Sequence, residues 1–542
     1  GLIGYAREGA VLMFLFSLAE TLETYAMGRT HNAVRALLDT APQEATVERD
    51  GQRMRVAVEQ LAIGDTMIIK PGEQVAADGE IISGESAVNE ATITGESVPA
   101  DKRQGDQVFA GTLNGQGALR VRVTTPVADS MLSRIVRYVE EAQARKAQSQ
   151  DFTDRVIGQY YAYAVVIITL LAIIIPLVFL GWDTQTTLYR AMTLMVVASP
   201  CALVISIPAA VLSALAHSAR NGALFKGGSH LETGSKVRVV AFDKTGTLTT
   251  GKVRVVQVVP FGNHEHDAIL HMAAAVEHMS EHPLAQAITH YAEEHEVTIA
   301  DVHDFKALTG VGAQATLNGS RILVGRPDRF DLDEATRATV ADMEDAFNTV
   351  VIVSRDGVVC GAIALADTIR PGVADVIARL KSRGFAVAML TGDNVRVARA
   401  LGRTLGIEDI RAGLLPEDKV AVVDDLRERY GAVAMVGDGV NDAPALASAD
   451  LGIAMGAAGT DTAIESADVL LMSDDIARVP ATLETAQRAR GVIRQNMVFA
   501  FAVMLVAVVL AVTGLIPLSI GVVVHEGSTL LVVANGLRLL AQ

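Results

Sequence analysis

Apolar and polar positions separate along this chain into two kinds of stretch. Residues 161–180, "YAYAVVIITLLAIIIPLVFL", carry no charge over twenty positions, long enough to cross a hydrocarbon core of about 30 Å. Residues 191–216 are uncharged too, and 497–524 forms the longest such run. That run is too long for one crossing, and Gly514 and Pro517 within it predict a turn between two helices, about 497–513 and 518–538. A weaker segment, 9–27, is interrupted near its end by Glu20 and Glu23.

The intervening stretches follow other periods. Residues 45–125 read as short strands with Gly-rich turns, as in "GDTMIIKPGEQVAADGEIISGE". In 217–495, "VRVVAFDKTGTLT", "FAVAMLTGDN" and "GAVAMVGDGVNDAPAL" each join an apolar strand to a polar loop. This is the pattern of a doubly wound parallel sheet with its site at the carboxyl ends of the strands. Residues 250–365, between the first of these strands and the others, are enough for an inserted domain.

Arginines and lysines flank the apolar runs on one side: Arg29, Arg35, Arg145, Lys146, Arg220, Lys226, Arg488 to Arg494, and Arg538. The positive-inside rule then places 28–155 and 217–495 in the cytosol. Gly1 would start outside, and no signal sequence is recognisable; the natural N-terminus is expected to lie upstream.

Composition agrees with a membrane protein of several domains. Half of the 542 residues are hydrophobic and 20% are charged, with a mean hydropathy of +0.33. A net charge of −16 argues against nucleic acid as partner, since phosphate backbones require a basic face. Two cysteines, Cys201 and Cys360, give no disulfide framework.

The chemistry concentrates at "DKTGTLT", Asp243 to Thr249, directly after the strand "RVVAF". An aspartate at a strand end can attack a phosphoryl group as a carboxylate nucleophile. The charge on the phosphoryl oxygens then calls for a cation, hydrogen-bond donors and a positive side chain. Thr391 and Gly392 of "TGDN" offer a hydroxyl and an N–H, and Lys419 of "PEDK" offers the charge. Asp438 and Asp442 of "GDGVNDAP" offer oxygen ligands for Mg²⁺.

These motifs, in this order, resemble those of the P-type ATPases, ion pumps that pass through an aspartyl-phosphate, and the resemblance spans essentially the whole chain. It implies an α-helical transmembrane bundle, a β-rich actuator domain, and an α/β haloacid-dehalogenase-like phosphorylation domain with an inserted α+β nucleotide-binding domain. The expected boundaries are a transmembrane helix in 1–30, the actuator in 31–155 and two transmembrane helices in 156–217. The phosphorylation domain follows in 218–250 and 366–490, around a nucleotide-binding domain in 251–365, with two more helices in 491–542. By the same resemblance Asp243 is phosphorylated within the Asp243–Lys244–Thr245 loop, and Mg²⁺ sits between Asp243, the Thr245 carbonyl and Asp438. Thr391 and Lys419 steady the phosphate, and Asn441 and Asp442 complete the shell. "TGES", Thr94 to Ser97, resembles the actuator motif, which makes Glu96 the dephosphorylating residue.

The insertion contains "EHMSEHPLAQAI", "LTGVGAQA" and "LVGRPD". These resemble the adenine-nucleotide elements of the heavy-metal (type IB) pumps and place Glu277, His282, Gly310, Gly312 and Gly325 at ATP. Arg326 stands where that group usually has asparagine.

Two polar groups interrupt the apolar runs. "MVVASPCALVISIPAA", residues 195–210, holds Pro200 and Pro208 inside a predicted helix, which removes N–H donors and frees the carbonyls of Val196 and Val204. Irregular backbone at that depth is tolerated where it lines a cavity, and Ser199 and Cys201 flank the first proline. "HEGST", His525 to Thr529, puts imidazole, carboxylate and hydroxyls in the last span, where an ionised group costs about 2.5–3.5 kcal/mol. Cys201, His525 and Glu526 with Ser199, Ser528 or Thr529 mix soft and hard donors, which suits a borderline divalent ion. Ser-Pro-Cys with His-Glu-Gly resembles the cobalt-type branch, to which iron, zinc and cadmium transport are also ascribed. Glu20 and Glu23, one turn apart, offer either an entry funnel or a solvated helix end.

The expected function is ATP-driven export of Co²⁺, Zn²⁺, Cd²⁺ or Fe²⁺ by a monomer in a bacterial inner membrane, with its soluble domains in the cytoplasm. A pump for potassium or lipid would leave Cys201 and His525 without a role. A membrane-tethered phosphatase would need neither TGES nor intramembrane ligands, and a metal sensor or channel would not need Asp243.

Overall fold

The computed structural model describes residues 42–134 apart from 50 and 91–98, residue 137, residues 161–540 apart from 281, 309, 440–441 and 457–464, and isolated positions between 10 and 24. Glu23, Glu96 and Asn441 lie outside the described residues, as does most of the segment 9–27. The chain divides into two compact units. One comprises 1–236 with 456–459 and 468–542, and the other comprises 237–455 with 460–467.

In the first unit the period-2 stretches form an antiparallel sheet. Its spatial order is Gln52–Ala57, Glu44–Arg49, Thr66–Ile69, Leu119–Val123, Gly79–Ser83, Gln107–Val108. Leu119, Val121 and Val123 point inward and Arg120 and Arg122 outward, as the alternation along a half-buried strand requires. Val47, Met67 and Ile81 complete this core. One carboxylate is buried with it. Asp78 accepts hydrogen bonds from the backbone N–H groups of Ala110 (2.8 Å) and Met131 (2.7 Å), tying the sheet to the helical turn that begins at Met131.

The apolar runs of this unit are helices: Ala162–Phe179, Thr184–Val197, Cys201–Arg220, Arg478–Thr513 and Leu518–Leu537. Among the described residues the segments Thr184–Arg220, Arg478–Thr513 and Leu518–Leu540 are long and apolar enough to cross a membrane, with Tyr163–Phe179 a shorter companion. The turn at Gly514–Pro517 falls where the sequence placed it, but the preceding helix starts at Arg478. Its 36 residues make it about 54 Å long, well beyond one hydrocarbon core. Small residues let these helices approach closely. A Cβ on Gly536 would touch Ala209 at 3.2 Å, and one on Gly521 would touch Val197 at 2.9 Å. Buried Asn496 donates to the Val532 carbonyl (3.1 Å) and accepts from Asn535 (2.8 Å), a polar link between the last two helices.

The second unit contains five parallel strands in the order Leu451–Ala454, Val433–Gly437, Val239–Asp243, Ala386–Leu390, Asp409–Arg411. Its inserted layer is an antiparallel sheet in the order Thr249–Pro260, Val358–Ile369, Thr349–Arg355, Ser320–Gly325, Gly312–Leu317, His303–Leu308. Ile269, Leu270 and Ile288, from helices His266–Glu277 and Pro283–Glu294, belong to one core of this sheet. Val340 and Met343 of helix Glu334–Asp345 belong to the other.

Asp78→Ala leaves two buried N–H groups without an acceptor, at about 1–3 kcal/mol each. The variant should unfold its β-rich part at lower temperature and be cut faster by protease there. Asp78→Asn, which keeps one acceptor oxygen, should fall between the two.

Candidate functional site

Register assembles the candidate phosphorylation site. Asp243 pairs with Leu390 across one neighbouring strand, and Phe242 pairs with Val436 across the other. The strand ends therefore bring Asp243, Thr391 and Asp438 to one edge of the sheet, where open α/β folds bind ligands. Lys419 comes from the first turn of helix Pro416–Tyr430. Its Nζ lies 2.5 Å from Asp243 Oδ1, and both side chains are under 10% exposed.

Burial raises the Asp243 carboxyl above the ordinary carboxylate range, opposed by the Lys419 ammonium and reinforced by Asp438. Asp442 is raised first by burial and then by the charges of Asp243 and Asp438. Asp442 accepts from the Gly439 N–H at 2.8 Å through Oδ1, while its Oδ2 is buried without a hydrogen bond among the described residues. Lys244 forms a short ion pair with Asp393, and its charge also favours the ionised form of Asp243. Three carboxylates thus share the charges of Lys419 and Lys244, and this oxygen-rich set suits a hard dication. Among the described residues no three His, Cys, Asp or Glu side chains form a metal cluster. Mg²⁺ at Asp243 and Asp438 would complete its shell with the Thr245 carbonyl and water.

The loop after Asp243 needs a glycine. Gly246 has φ +75°, and a Cβ there would overlap the Asp438 carboxylate. Arg370 clamps this loop from the inserted layer, donating to the carbonyls of Gly246 (2.8 Å) and Thr249 (3.1 Å). Asp367 accepts from the Thr249 hydroxyl at 2.5 Å. Sequence reasoning missed both residues; the signal was two charges closing an otherwise apolar strand, "VVCGAIALADTIR". Thr391 is buried, and its Oγ1 accepts from the Asp393 N–H at 3.1 Å.

All five residues expected at the nucleotide line one cleft of 560 Å³: Glu277, His282, Gly310, Gly312 and Gly325. Pockets of that size hold drug-sized ligands. Gly312 and Gly325 stand opposite each other on adjacent strands, and a Cβ on either would collide with backbone of the other strand. Together they make a flat wall. His282 caps helix Pro283–Glu294, its Nδ1 accepting from the Leu284 N–H at 3.2 Å. Arg326 also lines the cleft, held by Asp328 at 3.2 Å. Gly392, Asp393 and Asn394 reach it from the strand-end loop.

In the membrane unit the chain breaks between Val197 and Cys201, so the expected kinked helix is two helices. The Val196 carbonyl, expected to be freed by Pro200, accepts from the Ser199 N–H at 3.2 Å. The Ala198 carbonyl accepts from the Tyr161 hydroxyl at 2.7 Å. Ser199, His525 and Ser528 line one cavity at the break, with room for about one water-sized sphere, 10 Å³. His525 is buried and its Nε2 has no hydrogen bond among the described residues; Glu526 Oε1 lies 3.9 Å from that atom. Ser528 and Thr529 both donate to the His525 carbonyl, at 2.7 and 3.2 Å. Cys201 lies 3.0 Å from the Ser199 hydroxyl, but it is exposed and does not line the cavity. The structure therefore brings Ser199, His525 and Ser528 together and leaves Cys201 and Thr529 off the cavity wall. Glu526 borders His525.

Residues 237–450 match the haloacid dehalogenase-like hydrolase family, and residues 39–140 match the P-type ATPase actuator domain. The zinc-transporting ATPase of Bacillus subtilis is 42% identical over 99% of this chain and 85% of its own. The cadmium-transporting ATPase of Staphylococcus aureus is 40% identical over 99% and 75%. The "Probable cobalt/nickel-exporting P-type ATPase" of Mycolicibacterium smegmatis is 43% identical over 99% and 83%. A crystal structure of a zinc-transporting PIB-type ATPase in its E2.Pi state superposes with a TM-score of 0.61 at 40% identity, covering 99% of this chain and 88% of that one.

Burial alone pushes the Glu277 carboxyl up to about 7, from 4.5. Below pH 4.5 it is protonated folded and unfolded, with no penalty. Between 4.5 and about 7 the unfolded state ionises first, so stability falls by up to about 3 kcal/mol and stays lower above pH 7. Thermal unfolding of the whole chain at pH 4.5 and 8 should show a loss at pH 8 that Glu277→Gln reduces.

Proposed function

The chain belongs to the P-type ATPase family, and on that premise we propose that it exports a divalent transition metal, Co²⁺, Zn²⁺, Cd²⁺ or Fe²⁺, from the cytoplasm of a bacterium across its inner membrane. It would do so as a monomer. ATP binds in the cleft with its base towards Glu277 and His282 and its phosphates towards Asp393. An Asp243 carboxylate oxygen attacks the γ-phosphorus, the bond to the ADP bridging oxygen breaks, and ADP leaves. Lys419 holds the nucleophile in place and offsets charge on the transferred group. Mg²⁺, held by Asp243, Asp438 and the Thr245 carbonyl, would neutralise phosphoryl oxygens. Water then cleaves the acyl phosphate, with Glu96 orienting it.

The observation that carries the metal reading is the cavity at the broken helix. Imidazole and hydroxyl groups meet there in a space fit for one small body inside an apolar bundle. Polar groups at membrane depth mark a pathway or a bound ion. Cys201 beside Ser199 and Glu526 beside His525 extend the donor set by one residue on each side. The named relatives, divided among cadmium, zinc and cobalt/nickel, support a divalent ion over copper, potassium or lipid.

Purified protein in liposomes should release phosphate from ATP in response to one or more of these metals. Asp243→Asn should lower that rate on the order of 10³-fold or more and abolish covalent labelling from γ-labelled ATP. His525→Ala and Cys201→Ala should each remove at least about 1.4 kcal/mol of metal binding, a tenfold loss of apparent affinity, with nucleotide binding unchanged. Full metal stimulation in both variants would sink the assignment of the cargo site.

A further inference from the structure

Arg488 and Arg538 stand fifty residues apart in sequence, each beside an apolar span, and they face one cleft. It measures 470 Å³ and is lined by Arg488, Gly491, Val492, Gln495, Arg538 and Leu539. The first four recur at i, i+3, i+4 and i+7, one face of the helix Arg478–Thr513. Arg538 directly follows the helix Leu518–Leu537.

Among the described residues no carboxylate lines the cleft. Glu484, one turn below and nearly buried, approaches Arg488 at 3.7 Å, and Arg538 makes no ion pair among the described residues. The space at Gly491 is open, since a Cβ there would meet nothing within 4 Å. The position is as telling as the charge. Gln495 lies two residues before the uncharged run at Met497, and Arg538 closes the last span. The cleft therefore opens where hydrocarbon gives way to headgroups, on the side that the flanking arginines make cytosolic.

We propose that this cleft binds the phosphate of an anionic phospholipid headgroup. Guanidinium forks match phosphate oxygens in geometry and charge, and basic pockets between helices at the cytosolic face are built to take acidic headgroups. Val492 and Leu539 give the glycerol end an apolar border. A zwitterionic headgroup brings its own ammonium towards two arginines and is disfavoured. This assignment rests on the membrane-spanning reading alone and is independent of the cargo.

Native mass spectrometry of the whole detergent-solubilised chain, titrated with phosphatidylglycerol, phosphatidylcholine or inorganic phosphate, tests it. The wild type should retain phosphatidylglycerol in preference to phosphatidylcholine, and millimolar phosphate should not displace it. Arg538→Gln should weaken retention about fivefold and the Arg488→Gln/Arg538→Gln pair about 30-fold. Gly491→Leu, which fills the cleft without removing charge and favours helix, should also lose the lipid. Binding of a fluorescent ATP analogue, unchanged in all three, shows that they fold. Equal phosphatidylglycerol retention in the wild type and the double variant overturns the proposal, and so does displacement by inorganic phosphate.

Discussion

The buried contact between Asp243 and Lys419 is the interaction on which the candidate phosphorylation site depends. A carboxylate must be ionised to act as a nucleophile, yet burial at the end of a parallel strand favours its neutral form. Asp438 and Asp442 add negative charge to the same pocket. The Lys419 ammonium meets this carboxylate at 2.5 Å, and the charge of Lys244 acts on it in the same direction. A buried pair of this kind contributes little net stability, while loss of one partner strands the other at a cost of about 3–5 kcal/mol. The pair is therefore better understood as a device for keeping a charged oxygen out of water, which is the condition phosphoryl transfer requires.

The membrane unit meets the opposite constraint, since every backbone polar group at depth must find a partner inside the protein. Pro200 cannot donate, and the chain answers by ending one helix and starting another. The Ser199 N–H and the Tyr161 hydroxyl take up carbonyls at the break. What remains for a ligand is side chain: a buried imidazole whose Nε2 has no hydrogen bond among the described residues, with hydroxyls around a space of one small body. The two sites share no atoms. Coupling between them can only be a preference of each ligand for one global conformation.

How far the sequence was legible follows from the range of the forces involved. Strand-end motifs were readable because an apolar strand followed by a polar loop is a local pattern, and register then carries Asp243, Thr391 and Asp438 to one edge. The glycines of the nucleotide cleft were readable as a motif, but not for their reason, which is that Gly312 and Gly325 oppose each other across a strand pair. Arg370 and Asp367 were missed because their partners lie more than 115 residues away in sequence. The helix break was anticipated only as a kink, since spacing shows that Pro200 removes a donor but not where the freed carbonyl turns. Exposure of Cys201 has no local signature.

Lys244 shows best what three dimensions add. Its place next to Asp243 made it a candidate for direct catalysis, yet its ammonium is paired with Asp393. Asp393 lines the nucleotide cleft, and its neighbour Asn394 bonds to Glu344 of the inserted layer at 3.0 Å. The turn 391–394 is thus a wall shared by the cleft and the phosphorylation loop. An uncompensated carboxylate on that wall would repel an incoming polyphosphate by about 1 kcal/mol or more at contact distance, and by more in a poorly solvated cleft. Lys244 cancels that charge through its ion pair. Lys244 thus neutralises a carboxylate on the wall of the cleft, while Lys419, 176 residues from Asp243 in sequence, meets the Asp243 carboxylate itself.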